Sequence, residues 1–179
     1  MNYRCSECGT AYPIEEPVWR CDCGCFLVVE SRGIQSEEIV TGRPGSIWRY
    51  RKTLGLPENM RPVSMGEGNT PFVSRQIDGN EVHFKLDFLQ PSGSFKDRGA
   101  SVLVSLLRHI GVKKVIEDSS GNAGAALSAY AAAAGIEATI YVPEYTPEGK
   151  VVQMRMYGSK VVKVPGQRQD ANVAALKAA

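Results

Sequence analysis

Cysteine occurs five times in this chain, and all five lie between Cys5 and Cys25. Cys5-x-x-Cys8-Gly9 and Cys21-x-Cys23-Gly24 each set a glycine behind the second thiol. A residue tolerant of positive φ there lets backbone N–H groups turn toward the sulfurs. Two such turns make a four-thiolate site, and tetrahedral zinc is its usual occupant. The expected ligands are Cys5, Cys8, Cys21 and Cys23, and Cys25 is spare. The second spacing is one residue shorter than the common two-residue knuckle, so replacement of Cys23 by Cys25, or a metal-free module, stays open. Four thiolates leave no position for a water, which makes the expected role of the metal structural.

A second group of residues is Gln90-Pro-Ser-Gly-Ser-Phe-Lys-Asp-Arg-Gly-Ala100, which sets Lys96 in the first turn of a helix behind a glycine-bearing loop. Ser94 and Asp97 are spaced as an N-cap and its acidic N3 partner, so one reading is plain helix capping with a solvated lysine. The other reading is chemical. A helix N-terminus carries partial positive charge that disfavours an ammonium, so a lysine there offers more of the neutral amine that attacks carbonyls. A third group, Asp118-Ser-Ser-Gly-Asn-Ala-Gly124, joins a short apolar strand to an alanine-rich helix. Open α/β sheets bind ligands at that end of a strand. Exposed N–H groups with the Ser119 and Ser120 hydroxyls suit a carboxylate or phosphate, and Asn122 adds an amide. A tight turn with serine caps is the alternative. Neither a dinucleotide fingerprint nor a phosphate-binding loop for nucleoside triphosphates is present. His83 and His109 have no partner spacing for a metal or a nucleophile triad and read as structural.

The elements that must hold these groups follow from composition and period. Apolar residues make up 43% and charged residues 22% of the 179, values of an ordinary globular protein rather than a disordered or collagen-like one. The formal charge of +2 is dispersed and gives no footprint for nucleic acid or an anionic membrane. No apolar segment is long enough to span a bilayer, so a cytoplasmic protein with reduced thiols is expected; the odd cysteine count also favours metal over disulfides. Residues 1–30 read as a small zinc-ribbon-like β module, too small to own a core, and 31–60 as a connecting arm. In the arm, Ile47, Tyr50 and Leu54 share a helical face.

From Arg61 onward strand and helix alternate. The strands are 81–86, 114–117, 138–142 and 160–164. The helices are 96–110, with Leu103, Leu106, Leu107 and Ile110 toward the core, 122–134, one opened by Pro147 and closed by Gly158, and 170–179. Such spacing requires crossover connections and predicts an α/β fold, mainly a parallel sheet with flanking helices. The last helix has no stop signal, so the chain reads as cut within it.

Gly66-Glu-Gly-Asn-Thr-Pro71, Ser92-Gly-Ser-Phe-Lys-Asp-Arg98 and Ser119-Ser-Gly-Asn-Ala-Gly124, in this order and spacing, resemble successive motifs of threonine synthases. These are fold type II, tryptophan synthase β-like pyridoxal-phosphate enzymes. The cysteine module resembles the amino-terminal extension of many prokaryotic members. The resemblance implies that Lys96 holds pyridoxal 5'-phosphate and acts as catalytic base. It implies that Asn122 binds the cofactor ring oxygen, that Ser119, Ser120 and the Gly121 backbone hold the substrate carboxylate, and that Gly68 and Asn69 lie near the pocket wall. The implied reaction converts O-phospho-L-homoserine and water to L-threonine and phosphate, in a full-length homodimer. Ala123 stands where many relatives carry threonine. The family's cofactor-phosphate loop has no counterpart here, so an incomplete fold with little or no turnover is expected of the 179 residues alone. The competing readings are a sister reaction, such as threonine dehydration or cysteine or cysteate synthesis, and a non-catalytic zinc-ribbon binding protein.

Overall fold

The computed structural model describes residues 2–30 and 46–179, so the 31–45 part of the expected arm lies outside the described residues. The cysteine region forms three short antiparallel strands, β1 (Asn2–Cys5), β2 (Ala11–Pro13) and β3 (Leu27–Val29), in the order β2-β1-β3. Only Cys5, Ile14 and Cys21 are buried within it. Ile14 packs with Met60 and Leu106, flanked by Tyr3, Trp48, Leu56 and Ile110, so the module shares a small core with the rest of the protein. The arm's amphipathic stretch is a single 3-10 turn, Ile47–Tyr50, followed by hydrogen-bonded turns rather than a full α-helix. Its Trp48, not the expected face, reaches the interior.

The expected alternation holds from Lys96 onward. Helix α1 (Lys96–His109) leads to β6 (Lys114–Glu117), α2 (Asn122–Ala134), β7 (Glu137–Pro143), α3 (Glu148–Met156), β8 (Lys160–Val164) and α4 (Arg168–Ala178). Strands β6, β7 and β8 are parallel, with β7 in the middle and Glu117 paired to Ile140. Gly135 at φ 69 ends α2 in the left-handed conformation that a glycine adopts without cost.

Two sequence expectations change. The strand expected at 81–86 does not join the parallel sheet. It is β5 (Asn80–Lys85), paired antiparallel with β4 (Phe72–Ile77). Asp78 and Gly79 make the two-residue turn, both at positive φ, as a type I′ hairpin requires. The buried face of α1 is only partly the expected one: Leu106 is buried and Leu107 and Ile110 pack against the core, but Leu103 does not. Ala100, Ser101, Val104 and Ser105 are buried along with Leu106, whereas Leu103 is 47% exposed. Small residues win because α1 lies close against α2, where Ala125, Ala126, Ala129 and Ala131 are buried around Tyr130. Ile140, Val142, Val151 and Met154 close this core from the sheet and α3.

Candidate functional site

The lysine loop is built by its own polar groups. The Gly93 N–H donates to the Gln90 carbonyl at 2.8 Å, closing a turn in which Gly93 takes φ 88. The fully buried Asp97 carboxylate accepts the Ser92 N–H at 2.6 Å and the Ser92 hydroxyl. Gln153 of α3 holds the Ser92 carbonyl at 2.9 Å. Asp97 therefore folds back on Ser92 rather than on Ser94, while the Ser94 hydroxyl accepts the Lys96 N–H at 3.3 Å as a serine cap does. Lys96 becomes the first residue of the helix, exposed, with its Nζ 4.9 Å from the Phe95 ring centre.

The serine loop follows β6 directly. The Ser119 hydroxyl accepts the Gly121 N–H at 3.4 Å, and no side chain caps α2. The N–H groups of its first turn are free of side-chain partners, which suits an anion. Ser119, Ser120 and Gly121 are half-buried and Asn122 is exposed. Gly124 is required by space: a Cβ there would overlap the Ser119 carbonyl and stand 3.0 Å from Met154 Cε and 3.2 Å from Ile140 Cγ2. That close approach sets the loop against β7 and α3.

The serine loop leaves the carboxyl end of β6, whose last residue, Glu117, is within reach of the Lys96 charge. Burial, reinforced by neighbouring Asp118, pushes the Glu117 carboxyl up to about 7, with Lys96 and Arg168 pulling the other way. Beside it a polar cleft of about 500 Å³ is lined by Asp118, Tyr145, Gln167, Arg168, Gln169 and Asn172. The end of the sheet thus presents an amine, an open helix terminus and a polar cleft, as ligand sites of open α/β sheets do.

Sequence reasoning missed the group that holds the Gly66–Pro71 loop in place. Glu67 is fully buried, and its carboxylate accepts Trp48 Nε1–H at 2.7 Å, the Met65 N–H and Tyr130 O–H at 2.9 Å, and the Ser101 hydroxyl at 2.8 Å. The Ser64 hydroxyl is 3.0 Å away. Burial alone would raise its pKa, but bonds from Ser101, backbone and Tyr130 outweigh it and hold the carboxyl below the ordinary value. Ser64 and Met65 are local, but three of these donors come from residues 48, 101 and 130, which no local pattern connects to Glu67. Gly68 donates its buried N–H to Gln90 Oε1 at 2.9 Å, joining this loop to the lysine loop, and Asn69 is exposed at φ 49. A second clamp joins Thr70, Asp87 and Arg98: the Asp87 carboxylate accepts the Arg98 guanidinium N–H at 2.9 Å and the Thr70 O–H at 2.6 Å. The Arg98 and Thr70 hydrogen bonds hold the Asp87 carboxyl down at about 2.

In the amino-terminal module the sulfurs of Cys5, Cys8, Cys21 and Cys23 all lie within 4.8 Å of one another, and Cys25 stands outside the group. Such thiols cannot all ionise without a cation. Hydrogen bonds from Thr10 draw Cys8 down to about 6, whereas Cys23, favoured by the Cys25 N–H, is pushed up by its hydrogen bonds with Cys5 and Cys21. A soft divalent ion at the centre would relieve that conflict, and the donor set fits zinc.

A parallel sheet with a lysine-headed helix and an uncapped anion loop at its carboxyl end defines a cofactor-binding α/β enzyme fold. Residues 63–179 match the family of pyridoxal-phosphate dependent enzymes, and the chain belongs to that family. It is 35% identical over 182 residues to the threonine synthase of Methanocaldococcus jannaschii, covering 96% of this chain and 45% of that enzyme. It is 36% identical to the threonine synthase of Methanosarcina acetivorans, covering 94% and 44%. The chain therefore spans less than half the length of these relatives. Among solved structures it resembles a hydrogen sulfide-producing enzyme from Fusobacterium nucleatum, with a TM-score of 0.57 and 31% identity over 62% of this chain and 40% of that one. It also resembles maize serine racemase, with a TM-score of 0.56 and 32% identity over 60% and 34%. These are fold type II neighbours, in line with the expected fold class. No helix among the described residues is long and apolar enough to cross a membrane.

Proposed function

We propose that this chain carries the lysine-bearing part of a threonine synthase, which converts O-phospho-L-homoserine and water to L-threonine and phosphate. The observation that supports the reading is an exposed Lys96 at the head of α1 whose charge reaches Glu117, the last residue of β6 before the uncapped Ser119–Asn122 turn. The relatives named threonine synthase supply the substrate.

The residues present fit pyridoxal 5'-phosphate: the Lys96 amine and Asn122 are both exposed, and Gly124 leaves the Ser119 carbonyl room in the turn. When bound, the cofactor withdraws electrons from the substrate's α-carbon. Lys96 would hold the cofactor through its amine, then take the proton from Cα and return protons in later steps. Ser119, Ser120 and the Gly121 N–H would hold the substrate carboxylate, and Asn122 would orient the cofactor ring through its oxygen. Cys5, Cys8, Cys21 and Cys23 would hold structural zinc, outside the reaction. The division into module (1–30), arm (31–60) and part of a catalytic fold (61–179) belongs to this proposal, as do a cytoplasmic setting and a homodimer. A sister reaction is the second reading, because structures such as O-ureido-L-serine synthase share 29% identity at a TM-score of 0.55.

The test mixes the purified chain with pyridoxal 5'-phosphate, reduces with borohydride and maps the pyridoxyl group by peptide mass spectrometry. The expected result is an adduct confined to Lys96. Equal labelling of several surface lysines in this chain, and in a longer gene product, would overturn the assignment. Phosphate release from O-phosphohomoserine, set against ketoacid formation from threonine, separates the two reactions in the longer product.

A further inference from the structure

Among the described residues no cation partners Glu67; the donors on its carboxylate are neutral N–H and O–H groups. A buried charge of this kind costs several kilocalories per mole of desolvation, and an apolar residue of similar size is often as stable or more so. What the charge adds is geometric. Ser101 lies five residues after Lys96 on α1, and Tyr130 lies eight after Asn122 on α2. Both donate to the same carboxylate, at 2.8 and 2.9 Å, and to different oxygens of it. The Ser101 hydroxyl also bonds the Val63 carbonyl at 2.8 Å, while Ser105 takes the Val63 N–H at 2.7 Å, so the loop bearing Glu67 is itself stitched to α1. The buried apolar side chains around the α1–α2 contact are mostly small, Ala100, Ala125, Ala126, Ala129 and Ala131 with Val104, so little apolar interlocking fixes the two helices against each other.

We propose that Glu67 is a positioning residue: its carboxylate fixes the helix that begins at Lys96 against the helix that begins at Asn122. Trp48, donating to the oxygen that Ser101 uses, ties the arm into the same support. The proposal rests on the cofactor role given to Lys96 and Asn122.

Three forms of the full chain test it: wild type, Glu67→Gln and the milder Tyr130→Phe, which keeps the ring in the core and removes one O–H. The first readout is amide hydrogen exchange. Exchange in 96–101 and 122–128 rises together, about tenfold, the ratio that corresponds to about 1.4 kcal/mol and falls within the cost of unpairing one buried group. Exchange in β6, β7 and β8 stays at the wild-type rate. A rise spread evenly over the sheet would show a merely structural role and overturn the proposal, as would a change confined to 64–68. The second readout is the Lys96 pyridoxyl yield at subsaturating pyridoxal phosphate after borohydride. It falls about tenfold in Tyr130→Phe, and an unchanged yield overturns the proposal. A wild-type chain unlabelled at Lys96 would sink the cofactor reading alone, and the exchange data would still decide the positioning. If Glu67→Gln does not fold, Tyr130→Phe carries both readouts.

Discussion

Within residues 2–30 the buried side chains are two cysteines and one isoleucine, whereas the α/β unit buries fifteen residues in one cluster from Val63 to Met154. The first region has ligands and almost no core; the second has a core and, among its described residues, no group of metal ligands. A domain of about thirty residues cannot remove enough apolar surface from water to offset chain entropy, so it needs a metal or another staple. The α/β unit meets that cost with alanine-rich helix packing, and uses buried polar groups such as Glu67 and Asp97 to choose one geometry among several. Stability and shape thus come from one source in the module and from two in the α/β unit.

Chelation should break the comparison most sharply. A strong zinc chelator is expected to abolish exchange protection throughout 2–30 while β6, β7 and β8 keep theirs, measured by hydrogen exchange with metal content followed in parallel. Equal loss in both regions would show that the α/β unit depends on the module through the Ile14, Met60 and Leu106 contact. Gly124→Ala should act the other way, unsettling the α/β unit and sparing the module. The overlap with the Ser119 carbonyl predicts a loss of about 3 kcal/mol, the upper end for overpacking, read by denaturant midpoint.

The smallest expected effect is on Glu117. Its folded-state pKa lies above the unfolded one, so the folded form binds the extra proton, and stability falls as pH rises from about 4.5 to about 7. Glu117→Gln should therefore leave the melting midpoint unchanged near pH 4 and raise it at pH 8. A midpoint difference that does not vary with pH would mean that this carboxyl does not titrate between folded and unfolded states.

Much of the α/β order was legible because glycine and proline punctuate it: Gly111, Gly135, Pro147 and Gly158 fall at the ends of α1, α2 and α3. The hairpin was announced by Asp78-Gly79 between two alternating runs, yet the alternation of strands with helices further on drew β5 into the wrong sheet. Leu103 of α1 misled for a physical reason. Periodicity reports that a helix has two faces, but the spacing between α1 and α2 decides which face is close, and there only small residues fit. The cluster of four thiols was readable from spacing, and only the fold shows that Cys25 stands outside it.

By itself the sequence determined the order of elements, the four thiols, and the lysine and serine loops, because each depends on residues near one another in the chain. Tertiary structure decided that Glu67 gathers donors from residues 48, 101 and 130, that Asp97 turns to Ser92, and that Glu117 faces Lys96. Hydrogen bonds and electrostatic fields act over a few ångströms of space whatever the distance along the chain, and only the packed fold sets which groups fall within that reach.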